Sequence, residues 1–502
     1  MATSLFHKPG YISLKTYVDD IEYMRKHGPW KLPFGVSDRI HFFFLSLMAK
    51  FSWFSDILYV EHPYLWSPSY SILCTYLHKN HILDEVKEGM INFSDYFAFS
   101  AKKSVYVNER PRTLSGFGVD CDSSRALSKT LGEILERTIS GLGDENRDII
   151  SASPESFQRR HEATLYPPRY HRFLEDQKDR YRELQHHSSH KIDWVAGKNL
   201  VTRERTYIPR QMTSWFGFGN ARVFRDILCN ATSNGCAGYF TREGAVLRGL
   251  LEVINRDALL VHWLTMIPPR LVKNNTLPSS LRDIVESFKS RGVTLYILDV
   301  TALSVPSICI VALNEQSRIP RIIMSGASAV SFKQAIEDSL TETISLTGDL
   351  LYGPEKPSAG SRFILSEPFV SNLGKNERPL YWMGGDRVAK FKWFLSGEEV
   401  PYESLHGVNE GGHVGMSDAQ QLRECLKRLK KHGEGYYPIV YYPQNPLQEM
   451  LGFYVAQVYL PKAFPLYLLE CYGTFDSDRL SEFALSRGRN EWKLNQEPHP
   501  FY

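Results

Sequence analysis

The chain has 502 residues, of which 43% are apolar, 13% aromatic and 23% charged, so it is an ordinary globular sequence able to bury a large core, with roughly two to three domains expected from its length. Its 59 Lys and Arg against 56 Asp and Glu leave a formal charge of +3, which gives no electrostatic footprint for nucleic acid or for an anionic membrane. Seven cysteines stand singly, at 74, 121, 229, 236, 309, 425 and 471, without a C-x-x-C pair, so a tetrahedral zinc site is not indicated and reduced thiols are. The N-terminus has no basic region followed by an apolar core, and a cytoplasmic protein is expected.

In chain order, the most apolar stretch, Arg39 to Val60, is broken by His41, Lys50 and Asp56 and reads as a buried helix, not a membrane span. Residues 1–105 form a front region that carries none of the chemistry below and ends near the turn signal Arg110-Pro111-Arg112. A helix follows in which Leu127, Leu131, Ile134 and Leu135 share one stripe while Glu133 and Glu136 lie together on the opposite face. Phe173 to Lys191, with His186, His187 and His190 at its end, reads as an exposed helix with a polar tail.

The next helix, around Leu250-Leu-Glu-Val-Ile-Asn-Arg256, is apolar nearly all round from Ala245 to Leu264 and must be buried. Val293 to Asp299 and Ile308 to Leu313 are β-rich runs joined by a Pro/Ser link, hence adjacent strands. Pro354, Pro357 and Gly360 mark one loop, and Gly407, Gly411, Gly412 and Gly415 another. Ser417 then caps a helix through Leu422, Leu426 and Leu429 that Gly433 ends, and strands at 439–442 and 453–460 complete an α+β chain.

One string recurs, Ala, four residues, Leu, one residue, Glu: it occurs as Ala126-Leu131-Glu133, Ala245-Leu250-Glu252 and Ala335-Leu340-Glu342, which sets three helices in one register. In that frame Glu252 aligns with Glu133, Asn255 with Glu136 and Arg256 with Arg137. Carboxylates three apart on helices offer oxygen ligands to Mg²⁺ on a nucleotide, and Arg256 offers a planar fork to phosphate. Glu133, Glu136 and Arg137 read equally as an exposed, salt-bridged face, whereas polar groups on the buried second helix need internal partners. No G-x-x-x-x-G-K-[ST] or G-x-G-x-x-G string is present, and the Gly-Phe-Gly strings at Gly116 and Gly217 do not supply a phosphate loop.

These residues resemble the YcaO family. Gly118 to Arg137 is similar to its first glutamate helix, and Thr232-Ser-Asn-Gly through Arg256-Asp-Ala258 to its second. Val261-His-Trp-Leu, Pro268-Pro-Arg-Leu271, Leu295 to Thr301, Tyr454 to Pro461 and Pro465-Leu-Tyr467 resemble its peptide-heterocyclising branch, as does the terminal Glu497-Pro-His-Pro-Phe-Tyr502. The resemblance covers roughly residues 110–502. It implies mixed sheets with glutamate-bearing helices in a pseudo-repeat, with 106–502 as the catalytic domain and 1–105 as a variable region for partner or peptide contact.

It further implies ATP and Mg²⁺ as cofactors, with Glu133, Glu136 and Glu252 as metal and phosphate ligands, and Asn255 and Arg256 among the cofactor contacts. Arg256, Pro498, Pro500 and Tyr502 would serve catalysis. Asn255 stands where glutamate is frequent, and Gly244 where another glutamate is common, with Glu243 one residue early. The implied reaction is azoline formation on a ribosomally made precursor peptide: a Cys, Ser or Thr side chain attacks the preceding carbonyl, ATP phosphorylates the resulting oxygen, and phosphate departs. The tail acts there on the substrate amide rather than on nucleotide. The resemblance implies a leader-binding partner of the E1-like or C-type and is compatible with a flavin-dependent dehydrogenase and a homodimer. Thioamide or amidine formation and a non-catalytic peptide-binding scaffold are the alternatives.

Overall fold

In a computed structural model of the chain, the described residues are 81–89, 95–107, 110–141, 148–160, 162–185, 187–213, 227–314, 322–350, 373, 377–382, 387–405, 415–495 and 497–501. Before residue 81 they are 10–13, 18, 43–44, 46–47, 59–62, 74 and 77–78. Most of the expected helix from Arg39 to Val60, His186, Gly217, the loop glycines 360, 407, 411 and 412, Pro354, Pro357 and Tyr502 lie outside them. The chain forms two units, Met1–Glu145 with Gly238–Ala245 and Gln444–Val455, and Asn146–Ala237 with Val246–Pro443 and Ala456–Tyr502.

In the first unit, strands β1 (Glu85–Gly89), β2 (Phe97–Val107) and β3 (Arg110–Asp120) form an antiparallel sheet in that order. Residue 105 pairs with Arg112 inside the β2–β3 hairpin, so the expected boundary near 105 falls within one continuous sheet. Helix α1 (Ser123–Gly141) buries Leu127, Leu131, Ile134 and Leu135, the stripe expected from the sequence. It lies close on β3, because a Cβ at Gly116 or Gly118 would meet the carbonyl oxygens of Thr130 or Ala126 at 2.6 and 2.3 Å. The glycines of the first Gly-Phe-Gly string therefore serve helix–strand packing.

The second unit is built from β4 (Ile150–Ala152), β5 (Ile192–Asn199), β6 (Arg205–Pro209), β7 (Cys236–Tyr239), α2 (Arg242–Thr265), β8 (Arg270–Val272), β9 (Thr294–Asp299), β10 (Ser307–Leu313), β11 (Ile322–Ser328), α3 (Phe332–Leu350), β12 (Glu399–Val400), α4 (Asp418–Leu429), β13 (Ile439–Tyr441), β14 (Tyr454–Tyr459) and α5 (Ser477–Ser486). The first residues of α2 and β14 and the last of β7 belong to the first unit. One sheet has the order β11-β10-β9-β8-β12 and a second the order β4-β5-β13-β14-β7, with β6 also on β5.

β9 and β10 pair antiparallel, Thr294 with Leu313 through Asp299 with Ile308, as the two β-branched runs predict. All seven residues of β10 are buried. The core joins Leu259, Leu260, Trp263 and Leu264 of α2 to Val311 and Met324 on that sheet and to Phe464, Phe483 and Phe501. Ser417 caps α4 by accepting from Gln420 N–H, while the Gln420 side chain accepts from Ser417 N–H, and Gly433 ends the segment at φ 91°.

The stretch Phe173 to Lys191 is not the single exposed helix expected from its charges. It holds one six-residue helix, Glu175–Arg180, and a 3₁₀ turn, Arg182–Leu184. Gln177 is fully buried because its amide donates to the carbonyls of Cys471 and Gly473 at 3.0 and 2.9 Å.

Candidate functional site

In the first unit, α1 carries Glu133 and Glu136 over backbone N–H groups. Glu133 Oε2 accepts from Phe117 N–H at 2.6 Å, and its Oε1 pairs with Arg137. Glu136 Oε2 accepts from Gly238 N–H at 3.0 Å. Glu243 is exposed on the first turn of α2, and the neighbouring Gly244 is buried, its N–H bonded to Thr241 Oγ1 at 3.0 Å.

The second unit contains a tighter constellation around Arg256, whose residue is 8% exposed. Its NH1 group donates to Asn255 Oδ1 at 2.8 Å and to the Gly326 carbonyl at 3.2 Å. Its NH2 group lies 3.6 Å from Glu252 and 3.9 Å from Glu342. The guanidinium sits 3.9 Å from the ring centroid of Phe501, and its buried Nε has no hydrogen-bond partner. Burial raises the Glu342 carboxyl above its usual range, opposed by Arg256 and by Gly326 N–H.

The recurring string has a geometric counterpart. Glu133, Glu252 and Glu342 each accept, through Oε2, a backbone N–H from 16 or 17 residues earlier: Phe117, Gly235 and Gly326. Each anchor orients one carboxylate oxygen. Glu342 was visible in the sequence only as the third member of the register, and its contact with Arg256 is the signal that assigns it to the site. Asn255 is 1% exposed and spends its amide on protein, since Nδ2 donates to the Ile308 carbonyl at 3.1 Å while Oδ1 receives Arg256. Through Oδ1 it holds the Arg256 guanidinium.

The C-terminal tail is packed, not frayed. Pro498, His499, Pro500 and Phe501 are buried. His499 lies against Arg378, which pairs with buried Glu470 at 3.1 Å, and its Nε2 approaches the Tyr467 carbonyl at 3.0 Å. Glu497 presents its carbonyl to Trp263 Nε1–H at 3.0 Å and its carboxylate to Tyr381 and Lys390. Phe501 stacks on Arg256, so the tail and this arginine form one packed group.

In the second unit, helices α2 and α3 bring the anchored carboxylates Glu252 and Glu342 beside the buried Arg256 guanidinium. The YcaO family, described as cyclodehydratases that bind ATP and Mg²⁺, matches residues 115–463, and the chain belongs to it. Solved structures are similar in fold: a heterocyclase in complex with substrate and cofactor (TM-score 0.66, 16% identity, 85% of this chain and 57% of that one) and the heterocyclase TruD (0.54, 17%, 75% and 51%). The YcaO of Methanopyrus kandleri bound with AMPPCP and Mg²⁺ is similar at TM-score 0.56 and 16% identity, over 81% of this chain and 93% of that one. A protein of Methanothermobacter thermautotrophicus without an assigned function is 25% identical over 176 residues, 34% of this chain and 45% of its own length. The chain thus spans less than half of that relative and little more than half of the two heterocyclases.

The donor set fits Mg²⁺ and ATP. Among the described residues no three His, Cys, Asp or Glu side chains form a metal cage, but Mg²⁺ is ordinarily held by one or two carboxylates together with nucleotide phosphates. The unpartnered Nε of Arg256 is a donor of the kind a phosphate oxygen takes. Among the described residues no helix is long and apolar enough to cross a membrane.

Proposed function

We propose that the chain is an ATP- and Mg²⁺-dependent cyclodehydratase that converts Cys, Ser or Thr of a ribosomally made precursor peptide to thiazoline or oxazoline. The observation that carries this reading is Arg256: a buried guanidinium held by Asn255 and Gly326, flanked by Glu252 and Glu342, with one donor unspent and the C-terminal tail stacked on its face. Glu133, Glu136, Glu252 and Glu342 would hold Mg²⁺ and the phosphates. ATP would supply the phosphoryl group that turns an amide oxygen into a leaving group. Arg256 would neutralise charge growing on the transferred group, in a shielded site where such donors act strongly.

Pro498 and Pro500 limit the freedom of the tail and would hold Phe501 on Arg256 at little entropic cost. The Pro498-His499-Pro500 tail, as the family resemblance implies, supports ring closure over thioamide or amidine formation. The partners in this reading are the precursor peptide, a leader-binding protein and a flavin-dependent dehydrogenase, with residues 1–105 as a contact region. The singly placed, mostly buried thiols support a cytoplasmic setting. The test is Mg²⁺-dependent ATP turnover in the presence of precursor peptide by the wild type and by Arg256→Lys, whose ammonium cannot reproduce the fork. Turnover in the wild type and its loss in the folded variant support the reading; equal turnover contradicts it.

A further inference from the structure

Arg378, on the short helix Glu377–Trp382, is fully buried, and none of the chemistry above uses it. One end of its guanidinium pairs with Glu470 at 3.1 Å and donates to the Leu468 carbonyl at 3.3 Å. The other end lies against both ring nitrogens of His499 and donates to the His499 carbonyl at 3.3 Å. Glu470 is 4% exposed and His499 is fully buried. A buried ion pair is a weak source of net stability, because desolvation offsets much of the attraction. A planar fork that spends its donors on two separate chain segments does fix direction, and here it ties the tail to the turn at 468–470.

The ring of His499 is suited to that grip. Burial and the Arg378 charge hold it neutral, so one nitrogen accepts and the other donates. It therefore takes a bond from Arg378 while Nε2 faces the Tyr467 carbonyl at 3.0 Å, and it meets the Tyr467 ring edge to face with centroids 4.7 Å apart. Pro498 and Pro500 limit backbone freedom on both sides of this residue. Phe501, two positions on, lies over the Arg256 guanidinium at 3.9 Å. Its apolar neighbours Trp263 and Phe464 keep the ring in the core, but such packing is not directional and does not by itself set the ring against a guanidinium plane.

We infer that Arg378, backed by Glu470, is a positioning residue: its hold on His499 sets Phe501 against Arg256 and so orients the proposed phosphate contact. The consequence for ATP rests on the proposed function; the hold on the tail does not.

The experiment uses the full chain. Arg378→Lys keeps a cation beside Glu470, but an ammonium cannot hold Glu470 and His499 in one fixed plane. Arg378→Met combined with Glu470→Gln removes both charges together, so that no unpaired charge is left buried. In calorimetry with ATP and Mg²⁺, each should bind about tenfold more weakly than the wild type. Hydrogen exchange without nucleotide should show the amides of His499 and Phe501 opening faster while β10 stays protected. Added to Phe501→Leu, Arg378→Lys should weaken ATP binding no further, because both act through the same ring.

A role in packing alone would speed exchange and leave ATP affinity unchanged. Unchanged affinity in both folded Arg378 variants, unchanged exchange of the tail, or a full additional loss on top of Phe501→Leu would each overturn the inference. ATP binding by the wild type that the Arg378 variants leave intact sinks this inference alone. Faster tail exchange in the variants of a chain that binds no ATP sinks the proposed function and leaves the hold of Arg378 on the tail standing.

Discussion

Replacing Phe501 by Leu removes an aromatic face from a guanidinium and keeps most of the apolar volume. The two residues are 2% and 8% exposed and the guanidinium lies 3.9 Å from the ring centroid, so the desolvated end of the cation–π range applies, about 2 kcal/mol. If that energy holds the guanidinium plane in its phosphate-binding orientation, ATP should bind about thirtyfold more weakly to Phe501→Leu. Phe501→Ala adds a cavity in the core formed with Trp263 and Phe464, and should cost about 3–5 kcal/mol of stability in the second unit. Deleting His499 to Tyr502 goes further, because Arg378 and Glu470 lose a buried neighbour. Isothermal calorimetry with ATP and Mg²⁺ gives the affinities, and denaturant unfolding gives the stabilities. Wild-type ATP affinity in a folded Phe501→Leu protein would show that the ring does not hold the guanidinium for phosphate, and would leave the tail a role in ring formation alone.

Glu133→Gln, Glu252→Gln and Glu342→Gln each keep an oxygen for the N–H of Phe117, Gly235 or Gly326 but lose the charge; ATP turnover should fall on the order of a hundredfold or more with thermal unfolding little changed. Asn255→Asp turns the donor on the Ile308 carbonyl into a second acceptor, and should lower stability by about 1–3 kcal/mol in denaturant unfolding. His171, His262 and His499 are buried and held neutral, His262 down to about 3 by burial and by nearby Arg487. Their folded pKa values lie below the unfolded value of about 6.5, so the stability they contribute is complete above that pH and is lost as pH falls; for His262 the loss is about 1.4 kcal/mol at about pH 5.5. Unfolding midpoints followed from neutral pH to about pH 5 check this, and a flat profile contradicts it.

The helices and their register were legible because period and capping are local. The stripe of α1, the all-round apolarity of α2 and the Ser417 cap are all found as the sequence implies. The β9–β10 pair was legible because seven consecutive apolar or small residues bounded by a Pro/Ser link have little choice but a buried strand. The tail was not. His499 and Phe501 look like the frayed end of a chain until tertiary contacts with Arg378 and Arg256 are known, and nothing in a Pro-rich hexapeptide encodes them. Phe173 to Lys191 failed for the opposite reason: its charges suggest exposure, but Gln177 is drawn inward by carbonyls nearly 300 residues away. Glu342 lay between these cases, marked by the repeat and given a role only by its distance to Arg256.

In the proposed function this chain spends ATP to close rings on a peptide. The direct measurement is the mass spectrum of a Cys-, Ser- or Thr-containing precursor peptide incubated with the chain, its leader-binding partner, ATP and Mg²⁺, beside the same mixture with Arg256→Lys. Loss of one water per ring, dependent on ATP and absent with the folded variant, is the predicted result. An unchanged peptide mass in the presence of ATP turnover, or a mass shift that Arg256→Lys leaves intact, would contradict the account.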